Sequence, residues 1–501
     1  MRDIWKNLPF HGFSFEGPIL ENRKEEWFNA AEKILTDLEH GEKPTLVMPT
    51  SGGKTIIAFL AALAMKERVL FLVPTKILAN EHKKSWKDVT GRADNALVMI
   101  GGNREGNWNA EGVKIIFATP HKFLADKEAL LSGFSLVVLD ESHHARKKYP
   151  YVEIAEAAFR TGVPTLSLTA SPGDNEKEIE EMKSACHSTR FVPIRLKTPE
   201  ILVDRVIVQM DDTLKEMDNL FQKMLMESAL RLRTQGIPFP INRILTRKEL
   251  KTIENRLEAE FQHNKRFGRA RSEIAQYGMV RHCQCTALTE SYHAFLAHVD
   301  NISKSTLQAA KRVMRDETFM RICRIATEAK QHPKVEMLMH IAGSLRRMNK
   351  KMFAFVGIKE NGRYLCQTMC DRGVKTDVLF GSKDRNLKKQ DETVLHLRQG
   401  EIEAVVSTIW EGLSVSEVSA SIHYSMPMKG ISRIQRDGRT GRVRPGNVIF
   451  ITLAHSLDEG IYYATLAKVA KMYRIVWEEQ QKPKRKKGWK KPNPAQLDLY
   501  A

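Results

Sequence analysis

Short apolar runs alternate with stretches of helical spacing along the first part of the chain. A helix-like stretch, IIAFLAALAM (56–65), lies between the apolar runs at 45–49 and 69–74. Each apolar run ends in polar or turn residues. Alternating strands and helices predict a parallel sheet covered by helices on both faces. We expect the ligand site of such a sheet at the carboxyl ends of its strands. The strand candidates are TLVMP (45–49), VLFLVP (69–74), VKIIFATP (113–120), LVVLDE (136–141) and TLSLTAS (165–171).

The pattern changes between residues 211 and 330, where strand-like runs largely vanish and helical apolar spacing takes over. Strand candidates return with MFAFVG (352–357), TDVLFG (376–381), AVVST (404–408), SASIHYS (419–425) and NVIFITL (447–453). We therefore predict an α/β fold of two parallel-sheet lobes with a helical insert between them and a basic, disordered C-terminal tail. The predicted units are the first lobe (1–208), the insert (209–330), the second lobe (331–478) and the tail (479–501).

The charge balance narrows the choice of partners. The chain carries 79 Lys+Arg against 60 Asp+Glu, a net charge of +19. This excess favours nucleic acid, since each phosphate neutralised by Lys or Arg releases a counterion; a basic surface that serves only solubility is the alternative. Six Cys do not indicate a disulfide framework. They are typical of reduced thiols in an intracellular protein. The sequence shows neither a signal-peptide core nor a transmembrane run, so we expect no membrane partner.

A glycine-containing segment, PTSGGKT (49–55), follows the first strand candidate and opens a helix. Backbone N–H groups of such a loop bind phosphate oxygens at the helix N-terminus. Lys54 would reach the β- and γ-phosphates of ATP, and Thr55 would ligate Mg²⁺. Met48 stands where the strict pattern has its first glycine, so a chance match is the alternative. The predicted ATP-binding residues are Pro49, Thr50, Ser51, Gly52, Gly53, Lys54 and Thr55.

An acidic pair follows a hydrophobic strand candidate in LVVLDESHH (136–144). Asp140 can hold Mg²⁺, and Glu141 can orient or deprotonate an attacking water. A solvated acidic turn would explain this pair if it stood alone. Together with PTSGGKT, however, it predicts the second half of a nucleotide site.

The segment QRDGRTGR (435–442) is the sharpest single signal. Arg439 and Arg442 lie three residues apart, on one face of a helical turn. Two such guanidinium groups can meet a γ-phosphate across a cleft. A basic helix bound to solvent or to a phosphate backbone is the alternative.

These motifs together resemble those of the superfamily 2 helicases, in the same order along the chain. The set is PTSGGKT, VPTKILA (73–79), ATPHK (118–122), DESH (140–143), TAS (169–171) and QRDGRTGR. Within the superfamily, the phrases LVPTKILANEH, LTASPG and HPKVEML (332–338), with the long insert, resemble the archaeal Hef and eukaryotic FANCM helicases. The resemblance covers roughly residues 20–455 and implies two RecA-like lobes.

The resemblance also implies a role for each matching residue, with ATP and Mg²⁺ held between the lobes. Gly53, Lys54 and Thr55 would bind the triphosphate, while Asp140 and Glu141 would handle Mg²⁺ and water. The triplet His143, Thr169 and Ser171 would link hydrolysis to motion. The residues Gln435, Arg439 and Arg442 would complete the site from the second lobe.

Contact with the nucleic-acid backbone is implied for Thr75, Lys76, Thr119 and Thr408. Backbone contact gives little sequence readout, as a motor requires. Two departures weaken parts of this assignment. Glu26 stands where the family has its adenine-reading Gln, which questions strict adenine selection. The segment STIWEGLSV (407–415) is shorter than usual and has Ser414 where Asp is common, which weakens the roles of Thr408 and Glu411.

The insert resembles a thumb that grips duplex or forked DNA. Cations interleaved with Phe267 suit phosphate contact with some base stacking, and a solvated helix face is the alternative. His282, Cys283 and Cys285 lack the second ligand pair that zinc sites show, so we interpret the cysteines as ordinary buried thiols, with a metal site as the alternative. The predicted nucleic-acid contacts in the insert are Lys265, Arg266, Arg269 and Arg271, with Arg231 and Arg233 in a second basic patch.

The tail combines a basic segment, KPKRKKGWKK (482–491), with the terminal peptide QLDLYA. A basic tail binds nucleic acid nonspecifically, or it serves solubility alone. The terminal peptide resembles the motif that docks in a bacterial sliding clamp, and a chance apolar terminus is the alternative. The candidate clamp-binding residues are Gln496, Leu497, Leu499 and Tyr500.

The sequence thus predicts an ATP-dependent DNA helicase or translocase that remodels forked or branched DNA in replication, repair or recombination. The resemblance implies 3′→5′ movement, and we expect a monomer that binds forked, branched or single-stranded DNA. No carboxylate cluster of the nuclease type follows the last strand, so DNA cutting is not expected. The expected location is the cytoplasm, on the nucleoid, in a prokaryote or virus, and the nucleus in a eukaryote.

Two other functions stay open at this point. A duplex-RNA-activated ATPase shares the helical insert, but its RNA-sensing domains are not visible and the clamp-like tail favours DNA. A nucleic-acid-binding adaptor with an inactive motor is the other, although intact Lys54, Asp140, Glu141, Arg439 and Arg442 argue against it.

Overall fold

The structure is a computed structural model of the 501-residue chain. It describes residues 5–11, 18–50, 52–102, 107–126, 131–194, 201–241, 243, 245, 247–260, 265–381, 387–409, 418–440 and 445–481.

Seven parallel strands form the sheet of the first lobe. They are β1 (Pro44–Val47), β2 (Val69–Leu72), β3 (Ala96–Met99), β4 (Ile115–Ala118), β5 (Leu136–Leu139), β6 (Thr165–Thr169) and β7 (Arg190–Pro193). Their order is β3-β4-β2-β5-β6-β1-β7. The five strands predicted from apolar runs are confirmed. The sequence interpretation missed β3 and β7, which lie at the two edges of the sheet.

Successive residues of a strand point to opposite faces of the sheet, and both faces of this sheet are buried. In β2, Phe71 packs into the hydrophobic cluster on one face, and Leu72 packs into the cluster on the other face. This two-sided burial explains why the strands are continuous apolar runs. The helices of the lobe are α1 (Pro18–Glu39), α2 (Lys54–Ala64), α3 (Lys76–Thr90), α4 (Pro120–Ala125), α5 (Pro150–Thr161) and α6 (Glu176–Ala185).

Six parallel strands form the second sheet, in which the five strands predicted for the second lobe are confirmed. The strands are β8 (Ile201–Val208), β9 (Met352–Phe355), β10 (Thr376–Leu379), β11 (Ala404–Ser407), β12 (Ala420–His423) and β13 (Gly446–Leu453). Their order is β10-β11-β9-β12-β13-β8. The helices are α13 (Pro333–Arg347), α14 (Lys359–Asp371), α15 (Leu387–Gln399), α16 (Gly430–Asp437) and α17 (Leu457–Gln481).

The predicted boundary at residue 208 places β8 in the first lobe, and the strand pairing corrects this. Every residue of β8 pairs with β13, from Ile201 opposite Gly446 to Val208 opposite Leu453. The chain therefore enters the second sheet before the insert begins. The other predicted boundaries stay predictions.

In the part of the insert that the structure describes there are six helices, and its helical nature is as predicted from the apolar spacing. They are α7 (Asp212–Thr234), α8 (Arg247–Glu260), α9 (Lys265–Thr289), α10 (Tyr292–Ser303), α11 (Gln308–Arg315) and α12 (Glu317–Glu328). Phe221 and Phe295 of the insert belong to the same hydrophobic cluster as Ala354 and Ile422 of the second sheet. The insert and the second lobe thus share one core.

Helix α17 connects the second lobe back to the first. It follows β13, yet its later residues Met472 and Val476 are buried in the first-lobe cluster beside Phe191. Glu479 near its end forms an ion pair with Lys183 of α6. From residue 482 onward the predicted tail lies outside the described residues. In the described part of the chain, no helix is long and apolar enough to cross a membrane.

Candidate functional site

The phosphate-loop candidate lies between β1 and α2, at the carboxyl edge of the first sheet. Gly53 caps α2 in the left-handed region, with φ of 93°, which strains residues that carry a Cβ. A Cβ on Gly53 would lie 2.5 Å from Nε1 of Trp27, and a Cβ on Gly52 would lie 2.5 Å from Sδ of Met48. Glycine is therefore required at position 53 by the backbone conformation and the Trp27 ring, whereas a side chain at position 52 would displace the flexible Met48 side chain. Met48 fills the space below the loop, which accounts for its presence in place of the first glycine.

Two side chains act on the loop itself. The Trp27 indole donates a hydrogen bond to the carbonyl of Gly52 at 3.0 Å. Lys54 is buried, and its Nζ donates to the carbonyl of Met48 at 3.3 Å. Thr55 follows in the first turn of α2, half-buried. The helix N-terminus with its free N–H groups suits an anion such as a triphosphate. Ser51 lies outside the described residues.

The acidic pair follows β5, which is separated by β6 from β1, the strand that precedes the phosphate loop. Asp140 is buried, with one carboxylate oxygen accepting the N–H of Glu141 at 2.9 Å. Its other oxygen lies 2.8 Å from Nε2 of His82 on α3. Glu141 has φ of 48°, a left-handed conformation that is uncommon outside glycine. Such strain at a turn is frequent where a side chain must be held for chemistry.

The oxygen donors of this site fit Mg²⁺. The Thr55 hydroxyl and the Asp140 carboxylate are of the ligand type that Mg²⁺ prefers. In the part of the chain that the structure describes, no group of three or more His, Cys, Asp or Glu could hold a metal ion. Mg²⁺ usually takes one or two protein ligands and completes its shell with water and substrate phosphates.

The predicted coupling triplet is brought together. Nδ1 of His143 lies 3.4 Å from the Thr169 hydroxyl, which also accepts the N–H of Ser171 at 3.1 Å. Nδ1 of His143 is also 3.3 Å from the carboxylate of Glu141. All three residues of the triplet are buried. The His143 ring therefore contacts both Glu141 and Thr169, so a movement of the Glu141 side chain can be transmitted to the end of β6.

The second lobe contributes α16 and the turn after it. Gln435 donates to the Glu141 carboxylate at 3.3 Å, across the two lobes. A Cβ on Gly438 would lie 1.5 Å from the Thr50 hydroxyl, so only glycine allows this approach to the phosphate loop. The N–H of Ile431 donates to Asp174 of the first lobe at 3.0 Å. Arg439 is buried in this contact region, and Arg442 lies outside the described residues.

The four predicted backbone-contact residues all lie just after parallel strands. Thr75 follows β2 and caps α3, accepting the N–H of Leu78 at 3.3 Å. Lys76 is exposed, while Thr119 after β4 is buried. Thr408 after β11 accepts the N–H of Gly381 at 3.4 Å. Residues from both sheets thus lie at the carboxyl ends of parallel strands.

Only some of the insert cations predicted to contact nucleic acid are exposed. Arg269 and Arg271 are exposed, and Arg271 pairs with Glu258 at 3.4 Å. Arg231 pairs with buried Glu273 at 2.9 Å, and Arg233 donates to a backbone carbonyl. The predicted residues without described side chains are Lys265, Arg266, Glu411, Ser414, Gln496, Leu497, Leu499 and Tyr500.

The His/Cys cluster of the insert is only partly buried, since His282 is exposed and Cys285 is half-buried. Cys283 is fully buried, and burial raises the pKa of its thiol well above the usual range. The ring of His282 packs edge-on against His298, with centroids 4.4 Å apart.

The sequence interpretation missed His82, Trp27 and Asp174. These residues form hydrogen bonds with Asp140, Gly52 and Ile431, respectively. A signal for His82 was present, because Ala79, His82 and Trp86 share the buried face of α3. A polar ring on such a face needs a buried partner. The sequence shows no comparable signal for Trp27 or Asp174.

Comparison with known families gives two matches. The DEAD/DEAH box helicase family matches residues 29–179, and the helicase conserved C-terminal domain matches residues 333–444. These ranges hold the phosphate loop and acidic pair in the first lobe and the Gln435–Arg439 region in the second.

Among similar proteins are the ATP-dependent DNA helicases mph1 of Neurospora crassa and fml1 of Schizosaccharomyces pombe. The first is 23% identical over 87% of this chain and 42% of its own length. The second is 22% identical over 88% of this chain and 58% of its own length. The chain therefore spans about half the length of the curated relatives it matches.

Two solved structures share the fold. The helicase domain of Pyrococcus furiosus Hef superposes with a TM-score of 0.64 at 25% identity, covering 87% of this chain and 97% of that one. Dbp5 of S. cerevisiae, bound to RNA and ADP BeF3, superposes with a TM-score of 0.50 at 12% identity over 86% of this chain and 84% of that one. The second likeness concerns the fold alone.

Proposed function

Because the chain belongs to the DEAD/DEAH box helicases of superfamily 2, in the branch of Hef and the Mph1/Fml1 relatives, we propose that it hydrolyses ATP to move on DNA. The observation that carries the proposal is the contact between Gln435 and Glu141. It joins a phosphate loop and acidic pair on one lobe to the arginine-bearing turn of the other. Such an arrangement can respond to a nucleotide by moving one lobe against the other.

Each side chain has a definable part in hydrolysis. The N–H groups at the start of α2 and Lys54 bind the phosphates, and Thr55 and Asp140 would hold Mg²⁺. The bound ion would neutralise charge on the phosphates. Glu141 orients the attacking water and, through Gln435 and His143, senses both the second lobe and β6. Arg439 and Arg442 stabilise the charge that develops on the γ-phosphate.

The substrate follows from the relatives and from charge. The matched relatives are named as DNA helicases, and a net charge of +19 suits a polyanion. We assign backbone contacts to Thr75, Lys76, Thr119 and Thr408, and duplex or fork contacts to the exposed Arg269 and Arg271. The proposal has further parts. The protein moves from 3′ to 5′ and acts on forks as a monomer. Its terminal peptide docks on a sliding clamp, and in a eukaryote the protein is nuclear.

A strand-displacement assay tests polarity and substrate together. Two partial duplexes would carry the same single-stranded tail, one at the 3′ end and one at the 5′ end, beside a model fork. We expect ATP-dependent displacement from the 3′-tailed duplex and the fork. Displacement from the 5′-tailed duplex alone would overturn the polarity, and activity on duplex RNA alone would replace DNA as the substrate.

A further inference from the structure

A buried turn of the insert touches the carboxyl ends of the second sheet. Glu290 lies in the turn between α9 and α10 and is buried. One of its carboxylate oxygens accepts a hydrogen bond from Asn361 at 2.7 Å and another from the Ser425 hydroxyl at 2.9 Å. A buried carboxylate is costly unless several donors surround it. This carboxylate therefore has a specific place, between α14 and the end of β12.

The backbone carbonyl of Glu290 and the next residue, Ser291, also bond the turn to the second lobe. The hydroxyl of Tyr424 donates to the carbonyl of Glu290. Ser291 donates to Asn361 at 2.6 Å and also caps α10 by accepting the N–H of Ala294 at 3.0 Å. The start of α10 is thus fastened to the second lobe by bonds that converge on one turn.

Ser425 faces both the insert and the nucleotide site. Its hydroxyl accepts the N–H of Gly357 at 2.8 Å and donates to Glu290. Its carbonyl accepts a hydrogen bond from Nη1 of Arg436 at 2.8 Å. Arg436 is buried in α16 and lies over the Phe355 ring, 5.2 Å from its centroid.

Charge reinforces this connection. Burial lowers the pKa of Arg436 to about 10, and the negative charges of Asp437 and Glu290 oppose that change. Burial raises the pKa of Glu290, and the charge of Lys334 opposes it. A carboxylate at position 290 thus stabilises the guanidinium that holds α16. A neutral amide of the same shape would keep the packing and lose this stabilisation.

We propose that Glu290 is a positioning residue that ties the insert to α16, so that nucleic acid held by the insert changes the placement of Gln435 and Arg439 at the ATP site. The connection runs from Glu290 to Ser425, from Ser425 to Arg436, and from the adjacent Gln435 to Glu141 across the lobes. The inference rests on the proposed function, because it assumes that DNA stimulates hydrolysis.

The substitution Glu290→Gln tests it in the full chain. Three quantities would be measured: ATP hydrolysis without DNA, hydrolysis with saturating forked DNA, and DNA affinity. We expect the ratio of stimulated to basal rate to fall about tenfold, a usual size for coupling between sites, while DNA affinity and basal rate stay close to wild type. The matched control is Glu216→Gln, an exposed insert carboxylate paired with Arg321 at 2.6 Å, which should leave the ratio unchanged.

A second variant keeps the test decisive if Glu290→Gln folds poorly. Ser425→Ala removes the hydroxyl that meets Glu290, and the double variant should lose no more of the ratio than either single variant, since both break one connection. An unchanged ratio, or an equal fall of both rates with a lowered Tm, would overturn the inference while wild-type stimulation upheld the proposed function. Absence of DNA stimulation in the wild type would overturn both.

Discussion

At the residue scale, the position of Asp140 depends on a side chain far away in sequence. His82 lies 58 residues earlier, and its ring is held by edge contacts with Phe59, Phe71 and Phe117. A ring packed in this way has one orientation, which directs Nε2 at the carboxylate. His82 also lies on α3, the helix that begins beside Thr75 and Lys76. Asp140, the Mg²⁺ ligand that we propose, is therefore hydrogen-bonded to the helix that we assign to nucleic-acid contact.

We predict that His82→Ala weakens Mg²⁺-dependent nucleotide binding by about tenfold, the size expected for losing one hydrogen bond to a charged group. Fluorescence titration of a labelled ADP with and without Mg²⁺ measures this directly. Binding without Mg²⁺ should change little. His82→Gln, which retains an N–H donor, should restore part of the affinity; equal losses with and without Mg²⁺ would show that His82 serves the fold alone.

The motif residues could be predicted from sequence because phosphate chemistry demands fixed spacing along one loop or turn. Lys54 and Thr55 are an example, since both belong to the first turn of α2. His82 and Glu290 could not be assigned roles in this way. Their partners lie 58 and 135 residues away, and only the folded chain brings them together.

At the scale of elements, the start of α13 joins the insert to the second lobe. His332 caps this helix, accepting the N–H of Lys334 at 3.1 Å on Nδ1, while Nε2 donates to the carbonyl of Ala287 at 3.1 Å. Lys334 is fully buried and pairs with Asp458 at 2.6 Å. A neutral imidazole satisfies both of its hydrogen bonds, whereas a protonated one would lose the bond at Nδ1.

We predict that His332 makes the contact between the insert and the second lobe less stable in acid. Burial, with a smaller contribution from Lys334, lowers the pKa of His332 from 6.5 to about 3. Between these values the unfolded chain binds a proton that the folded chain does not, so the free energy of unfolding falls by a few kcal/mol as the pH drops through this window. Tyr292, Glu290 and Asp458 also lie around this junction, so a comparison of variants is needed.

Urea unfolding of the wild type and His332→Asn across this pH range measures the effect. Asn caps a helix but does not titrate, so the variant should lose less stability on acidification than the wild type. Parallel curves for the two proteins would show that His332 does not control the acid response.

The sequence predicts where strands and helices occur better than it predicts which of them pack against each other. Ten strand candidates and the helical nature of the insert could be predicted because apolar periodicity is local. The sheet membership of β8 could not, since a parallel strand pairs with a partner far along the chain. The same applies to α17, whose Met472 and Val476 are buried in the first lobe although the helix follows the last strand of the second.

At the scale of the whole molecule, the two lobes meet at several points around the phosphate loop. Gln435 reaches Glu141, Gly438 packs on Thr50, and Ile431 bonds Asp174. The insert and the second lobe share one core, so we expect them to move together. A nucleotide between the lobes can therefore change the position of the insert relative to the first lobe, which is what a motor on DNA needs.

Steady-state ATP hydrolysis tests this account most directly. The purified protein would be assayed with single-stranded DNA, forked DNA, duplex DNA and duplex RNA, beside Lys54→Ala and the exposed-lysine control Lys84→Ala. We predict that forked DNA stimulates most strongly, that Lys54→Ala abolishes hydrolysis, and that Lys84→Ala leaves it intact. Stimulation by duplex RNA alone would contradict the DNA motor, and no hydrolysis with any polymer would indicate a nucleic-acid-binding adaptor instead.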